Sequence, residues 1–75
     1  MSDLIVSLSE LLDDSTIPKN VKMKVQNAIT LLQQNTSLNF SKAMHELEEA
    51  VDDTNLQAYT RNQILNVVSM LESEQ

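Results

Sequence analysis

The chain superimposes on itself at a shift of 39 residues (43 − 4), so that Leu4–Leu32 lies over Ala43–Leu71. Leu8 falls on Leu47, Leu12 on Val51 and Asp13-Asp14 on Asp52-Asp53. Further along, Ile17 falls on Leu56, Lys22 on Arg61, Val25 on Ile64, Ala28-Ile29 on Val67-Val68 and Leu32 on Leu71. A fixed internal period of this kind means one supersecondary unit used twice, and a unit that cannot bury its own apolar face must stack on its neighbour. The expected architecture is therefore a single all-α domain over residues 1–75, with one helix-turn-helix unit over about 3–34 and a second over about 40–73.

Helical periodicity supports this. Leu4, Ile5, Leu8, Leu11 and Leu12 fall at i, i+1, i+4, i+7 and i+8, the spacing of one apolar stripe on a helix. Ala43, Met44, Leu47, Ala50 and Val51 occupy the same wheel positions in the second copy. There, alanine replaces leucine twice, which lets a neighbouring helix approach more closely. The second helix presents Val21, Val25, Ala28, Ile29 and Leu32, and the fourth presents Thr60, Ile64, Val67, Val68 and Leu71. The expected helices span about 3–13, 18–34, 40–52 and 57–73. Pro18 suits the first turn of the second helix, where its missing N–H has no helical acceptor to lose. Asn35-Thr36-Ser37-Leu38-Asn39 reads as the loop between units, with Asn39 as N-cap of the third helix. Short turns make each unit an antiparallel hairpin, and two hairpins bury each other as a four-helix bundle or a HEAT-like pair.

Composition narrows the choice further. There is no glycine, so the left-handed and primed turns that hairpins of strands favour have no ready residue, which argues against β structure. At 75 residues the attainable core is small, and without cysteine no disulfide reinforces it. Such a chain must rely on close helix packing, on a second copy, or on both. The net charge of −6 divides unevenly: residues 1–37 carry three lysines against four acids, and residues 38–75 carry Lys42 and Arg61 against seven. A surface of this sign repels phosphate backbones. The N-terminal segment lacks a basic start and carries Ser7, Ser9 and Glu10 within its apolar run, unlike a signal peptide, and no apolar run reaches membrane-spanning length. A cytoplasmic protein without membrane association is expected.

The stretch Asp13-Asp14-Ser15-Thr16-Ile17-Pro18-Lys19-Asn20-Val21-Lys22, followed by Val25, Ala28-Ile29 and Leu32, is similar to the inner part of a HEAT-type repeat. The second copy runs from Asp52 to Leu71, with Thr60-Arg61 in place of Val-Lys. Asp13-Asp14 through Lys22, together with Thr60-Arg61, Ile64, Asn66-Val67-Val68-Ser69 and Leu71-Glu72, resembles uncharacterised protein family 0147, a set of small archaeal helical proteins. Gln57 stands where that family tends to have a second proline, and Leu65 where it tends to have tryptophan. The resemblance implies an all-helical fold. It implies no activity and supplies no catalytic residue.

Each candidate for chemistry has a plainer reading beside it. Asp13-Asp14 and Asp52-Asp53 could hold a hard cation, but their recurrence in equivalent turns favours a cap on the following helix. Lys22 and Arg61 could meet a partner's carboxylate or a phosphate; the plainer reading is an internal pair with an acidic turn. His45 points away from the Leu47 stripe, with Glu48 and Glu49 after it. Lys42 stands where a di-iron motif needs glutamate, so a solvated histidine is expected. With one histidine and no cysteine, the usual zinc ligand sets cannot be assembled. No nucleophile elbow, phosphate loop or spaced acid–base pair is present. The expectation is a non-enzyme without cofactor or metal.

The residues that a core does not explain are apolar ones away from the stripes. Val6, Met23 and Leu65 lie more than about 90° from their stripe centres. Met44, Tyr59 and Met70 lie at stripe edges. They are either scattered surface residues or a contact patch for another chain, for which methionine is well suited. The leading expectation is a helical interaction or scaffold module that binds a protein partner or itself, with Val6, Met23, Tyr59, Leu65 and Met70 as candidate interface. The alternative is an RNA- or ribosome-associated protein that uses Lys19, Lys22 and Lys24, the one basic cluster, whose side chains point in different directions on a helix. No small-molecule substrate is indicated.

Overall fold

Four stripes of helical period form four helices, in the computed structural model: α1 (Ser2–Leu12), α2 (Lys19–Gln33), α3 (Ser37–Ala50) and α4 (Ala58–Glu74). The structure describes residues 2–34 and 36–74; Asn35, expected in the loop between units, lies outside them. No strand occurs among the described residues. Neighbours in sequence pack together, α1 on α2, α2 on α3 and α3 on α4, and α1 on α4 closes the ring. The two hairpins therefore do bury each other. The radius of gyration, 11.1 Å, is that of a packed domain of this length, about 11 Å.

One core runs through the ring. Leu4, Leu8, Leu11, Val21, Val25, Ala28, Ile29 and Leu32 of the first half meet Ala43, Leu47, Ala50, Ile64, Val67, Val68 and Leu71 of the second. Ile17 and Leu56, one in each hairpin turn, close the same end. Burial follows the 39-residue correspondence closely: even Thr60, which stands in the place of Val21, is buried. The seam between α2 and α3 is the most extensive of the four, and that between α1 and α4 the least. Small side chains allow close approach here: Ala43 and Ala50 on α3 are fully buried, and Leu4 and Leu11 hold the same places on α1.

The hairpin turns recur bond for bond. Asp13 N–H donates to the Glu10 carbonyl, Asp14 to Leu11, Ile17 to Asp14 and Lys22 to Pro18. Thirty-nine residues on, Asp52 donates to Glu49, Asp53 to Ala50, Leu56 to Asp53 and Arg61 to Gln57.

Two helix starts differ from expectation. The third helix begins three residues earlier than position 40, and its N-cap is Thr36, not Asn39: the Thr36 hydroxyl oxygen accepts the Asn39 N–H at 3.2 Å. Asn39 is thereby drawn into the first helical turn, where it is buried. Its side-chain amide donates to Gln34 Oε1, the partner that a buried amide requires. Pro18 sits just outside α2 rather than in its first turn, with φ −58° and ψ 147°, and no side chain caps that helix.

The close α2–α3 seam makes a prediction. Ala50→Leu will overpack it and lower stability by about 1–3 kcal/mol. Leu47→Ala will cost about 2–5 kcal/mol through an unfilled cavity. Urea denaturation of the variants measures both. An Ala50→Leu protein as stable as wild type would mean that small residues do not set the seam.

Candidate functional site

The paired acids brace turns. Asp14 Oδ1 accepts the Thr16 N–H at 2.9 Å and the Thr16 hydroxyl at 2.7 Å, and Asp53 Oδ1 accepts the Asn55 N–H at 2.8 Å. These aspartates hold their own turns two residues on, so the helix cap expected of them is not the role they fill. The Thr16 hydroxyl, then its N–H, and then the nearby Lys22 charge hold the Asp14 carboxyl below the ordinary value of 3.8. Asp13 and Asp52 are exposed. No cluster of three or more His, Cys, Asp or Glu side chains is arranged to hold a metal among the described residues.

Lys22 and Arg61 have diverged despite their matching positions. Arg61 Nε donates to the Val51 carbonyl at 3.0 Å, and Nη2 donates to the carbonyls of Asp53 and Leu56 at 3.2 and 3.3 Å. The expected pairing with the acidic turn is thus made to backbone oxygens rather than to carboxylates. The planar guanidinium ties the end of α3 to the turn that follows it. Lys22 is half-buried, near the Asp14 charge.

Lys24 spans two helices. Its ammonium lies 3.1 Å from Glu49 Oε1, joining α2 to α3, and His45 Nε2 lies 3.4 Å from Glu49 Oε2. The Lys24 hydrogen bond and charge, and then His45, lower the Glu49 carboxyl from 4.5. His45 is exposed, as expected of it. Of the basic cluster Lys19, Lys22 and Lys24, one member is therefore committed to an internal acid and one lies near another, which leaves Lys19 as its fully exposed member.

The apolar candidates are all exposed, from 41% for Leu65 to 73% for Tyr59, but they do not form one patch. Tyr59 and Met70 lie along the groove between α1 and α4, whose floor is Leu11 and Val67. Met23 belongs to the groove between α2 and α3, on the other side of the ring. Val6 and Leu65 line neither groove. Met44 is half-buried and packs on the core. Leu38, which sequence reasoning assigned to the loop, is 64% exposed in the first turn of α3. Its apolar side chain was its one signal, because the cap that places it on a helix is Thr36, two residues before it.

The two grooves correspond to each other. Tyr59, Gln63, Asn66 and Met70 on α4 stand 39 residues after Asn20, Lys24, Asn27 and Leu31 on α2. Ser7, Glu10, Leu11 and Asp14 on the α1 side stand 39 residues before Glu46, Glu49, Ala50 and Asp53. The ring of helices thus has an approximate two-fold relation, and the same seam is built twice with different side chains.

A family model described as "Uncharacterised protein family (UPF0147)" matches residues 1–73. The chain belongs to UPF0147. A UPF0147 protein of Sulfurisphaera tokodaii is 35% identical over 72 residues, covering 92% of this chain and 81% of that relative. One from Thermoplasma volcanium is 33% identical over 75 residues, with 96% and 84% covered. One from Methanocaldococcus jannaschii is 29% identical over 75 residues, with 96% and 81% covered. No solved structure matches. The family expectation drawn from the turn and fourth-helix motifs is met, and UPF0147 brings no assigned chemistry to this chain. No helix of the described residues is long and apolar enough to cross a membrane.

Two predictions concern the polar contacts of this UPF0147 chain. Arg61→Lys will lower stability by about 1–3 kcal/mol, because one ammonium cannot serve three carbonyls, whereas Lys22→Gln will change it by less than about 0.5 kcal/mol. Chemical denaturation distinguishes them. For Asp14 and Glu49 the folded-state pKa lies below the ordinary values of 3.8 and 4.5, so the stabilisation from each is present above those values. It disappears as the pH falls through the depressed folded values. Carboxyl-carbon NMR titration will show Asp14 moving back towards 3.8 in Thr16→Val, and Glu49 towards 4.5 in Lys24→Met.

Proposed function

We propose that this protein is a non-enzymatic helical module that works by binding another protein through an exposed helix–helix groove. One observation carries the reading: Tyr59 and Met70, large apolar side chains left in solvent, border a groove of mixed polar and apolar lining over Leu11 and Val67, at the least extensive seam of the ring. Apolar side chains gathered along a groove suit the apolar face of a partner, whereas singly scattered ones are ordinary surface. Tyrosine and methionine also suit such a surface, the one as a rigid amphipathic anchor and the other as an adaptable filler.

Self-association is the weaker form of this reading. The exposed apolar residues are divided between different faces, and each copy carries a net charge of −6, so two copies repel at low salt. The RNA-associated alternative loses support from the engagement of Lys24 with Glu49.

The test is capture of partners from the protein's own cells with tagged wild type and with Tyr59→Ser/Met70→Ser. Both substitutions are on the surface and should leave the helical circular dichroism unchanged. The expected result is a defined protein recovered with wild type, lost with the double variant and reconstituted with the purified components. An identical partner set for both proteins overturns the reading. So does recovery of RNA alone that Lys19→Glu/Lys24→Glu abolishes.

A further inference from the structure

The two corresponding seams differ in one ionic contact. In the α2–α3 seam, Lys24 reaches across to Glu49 and ties the helices together. In the α1–α4 seam, the place of Lys24 is taken by Gln63 and that of Glu49 by Glu10. The acid is kept and its cation is missing: Glu10 is exposed and has no ion pair among the described residues. Asp14 stands on the same side of the groove, and no lysine or arginine lines it. Below lie Leu11 and Val67, with Met70 and Tyr59 along the α4 wall.

We propose that the α1–α4 groove receives an amphipathic helix of a partner protein bearing Lys or Arg, whose cation takes against Glu10 the place that Lys24 takes against Glu49. The proposal rests on the interaction-module reading and names the chemistry of the partner. Charge complementarity selects this occupant, and the molecule supplies its own template in the opposite seam. An apolar helix face fits the floor and the methionine and tyrosine wall, and the carboxylates on the rim select a basic flank. The same carboxylates turn away a phosphate backbone. A second copy, with its net charge of −6, is a poor match for an acidic rim.

The probe is a synthetic amphipathic peptide of about four helical turns, with leucines on one face and lysines flanking them. Its twin has every lysine replaced by glutamate. Each is titrated into the isotope-labelled full-length protein, with the amide spectrum as readout. The lysine peptide should move the amides of Ser7, Glu10, Leu11, Gln63 and Met70, and the glutamate peptide should not. Gln63→Lys supplies the missing cation from within. It should weaken peptide binding about tenfold or more. Glu10→Lys should weaken it at least as much. Absence of shifts at millimolar lysine peptide overturns the proposal, as does unchanged affinity in both Gln63→Lys and Glu10→Lys.

Failure of the groove and failure of the wider reading are separable. Shifts confined to the α2–α3 seam sink this groove and leave the interaction module standing. If neither peptide moves any amide, and partner capture is unaffected by Tyr59→Ser/Met70→Ser, both fall together.

Discussion

No helix in this chain can hide its apolar stripe alone, and everything else in the structure follows from how the four stripes find one another. Helices of 11 to 17 residues are marginal in water by themselves. Each hairpin pairs two of them, yet still leaves apolar surface exposed. Burial is completed only when α2 meets α3 and α1 meets α4. With no disulfide and few aromatics, the aliphatic packing of Leu8, Val25, Leu32, Leu47, Ile64 and Leu71 must do most of the stabilising. The alanines of α3 matter out of proportion to their size, because they bring the two hairpins close along their principal seam.

The periodic parts of this architecture were legible in the sequence for a physical reason. A stripe at i, i+3, i+4 and i+7 is a statement about one side of a cylinder, and the core residues fell on it in all four helices. Ends were less legible because several residues compete for them. Thr36 and Asn39 are both able caps, and the choice between them depends on whether the Asn39 amide finds a partner once it is buried. Gln34 supplies that partner, and it caps the C-terminal end of the preceding helix. Likewise, the wheel set Val6, Met23 and Leu65 well off their stripes and Tyr59 and Met70 at stripe edges, and all five are exposed. It could not say that Met23 and Met70 look out from opposite seams, because that depends on the order of helices around the ring.

The matching positions also show how one turn geometry tolerates different chemistry. Asp14 and Asp53 make the same bond to the second residue after them, although that residue is threonine in one turn and asparagine in the other. Only the backbone N–H is needed, so the downstream side chain is free to vary. Lys22 and Arg61 vary with more consequence. A lysine in that place offers a point charge near Asp14, whereas the arginine fork gathers three carbonyls at the end of α3. The second turn is therefore pinned by directed bonds where the first relies on proximity of charge.

The same comparison bears on function. Where the halves agree, the residues build the fold: the core positions, the turn bonds and the buried ends. Where they disagree at the surface, the fold gives no reason for the difference. Lysine at 24 stitches one seam to Glu49, and glutamine at 63 leaves its counterpart unstitched, with Leu11 in the place of a small residue beneath it. The α1–α4 seam closes the ring with the least contact of the four and with no ion pair across it among the described residues, while α2–α3 supplies the principal junction. Retaining Glu10, Tyr59 and Met70 around such a seam adds little to folding stability, because exposed acids and exposed apolar side chains contribute little there. What the arrangement does provide is an acid-rimmed trough over Leu11 and Val67, with one side of its ionic contact left for another chain to complete.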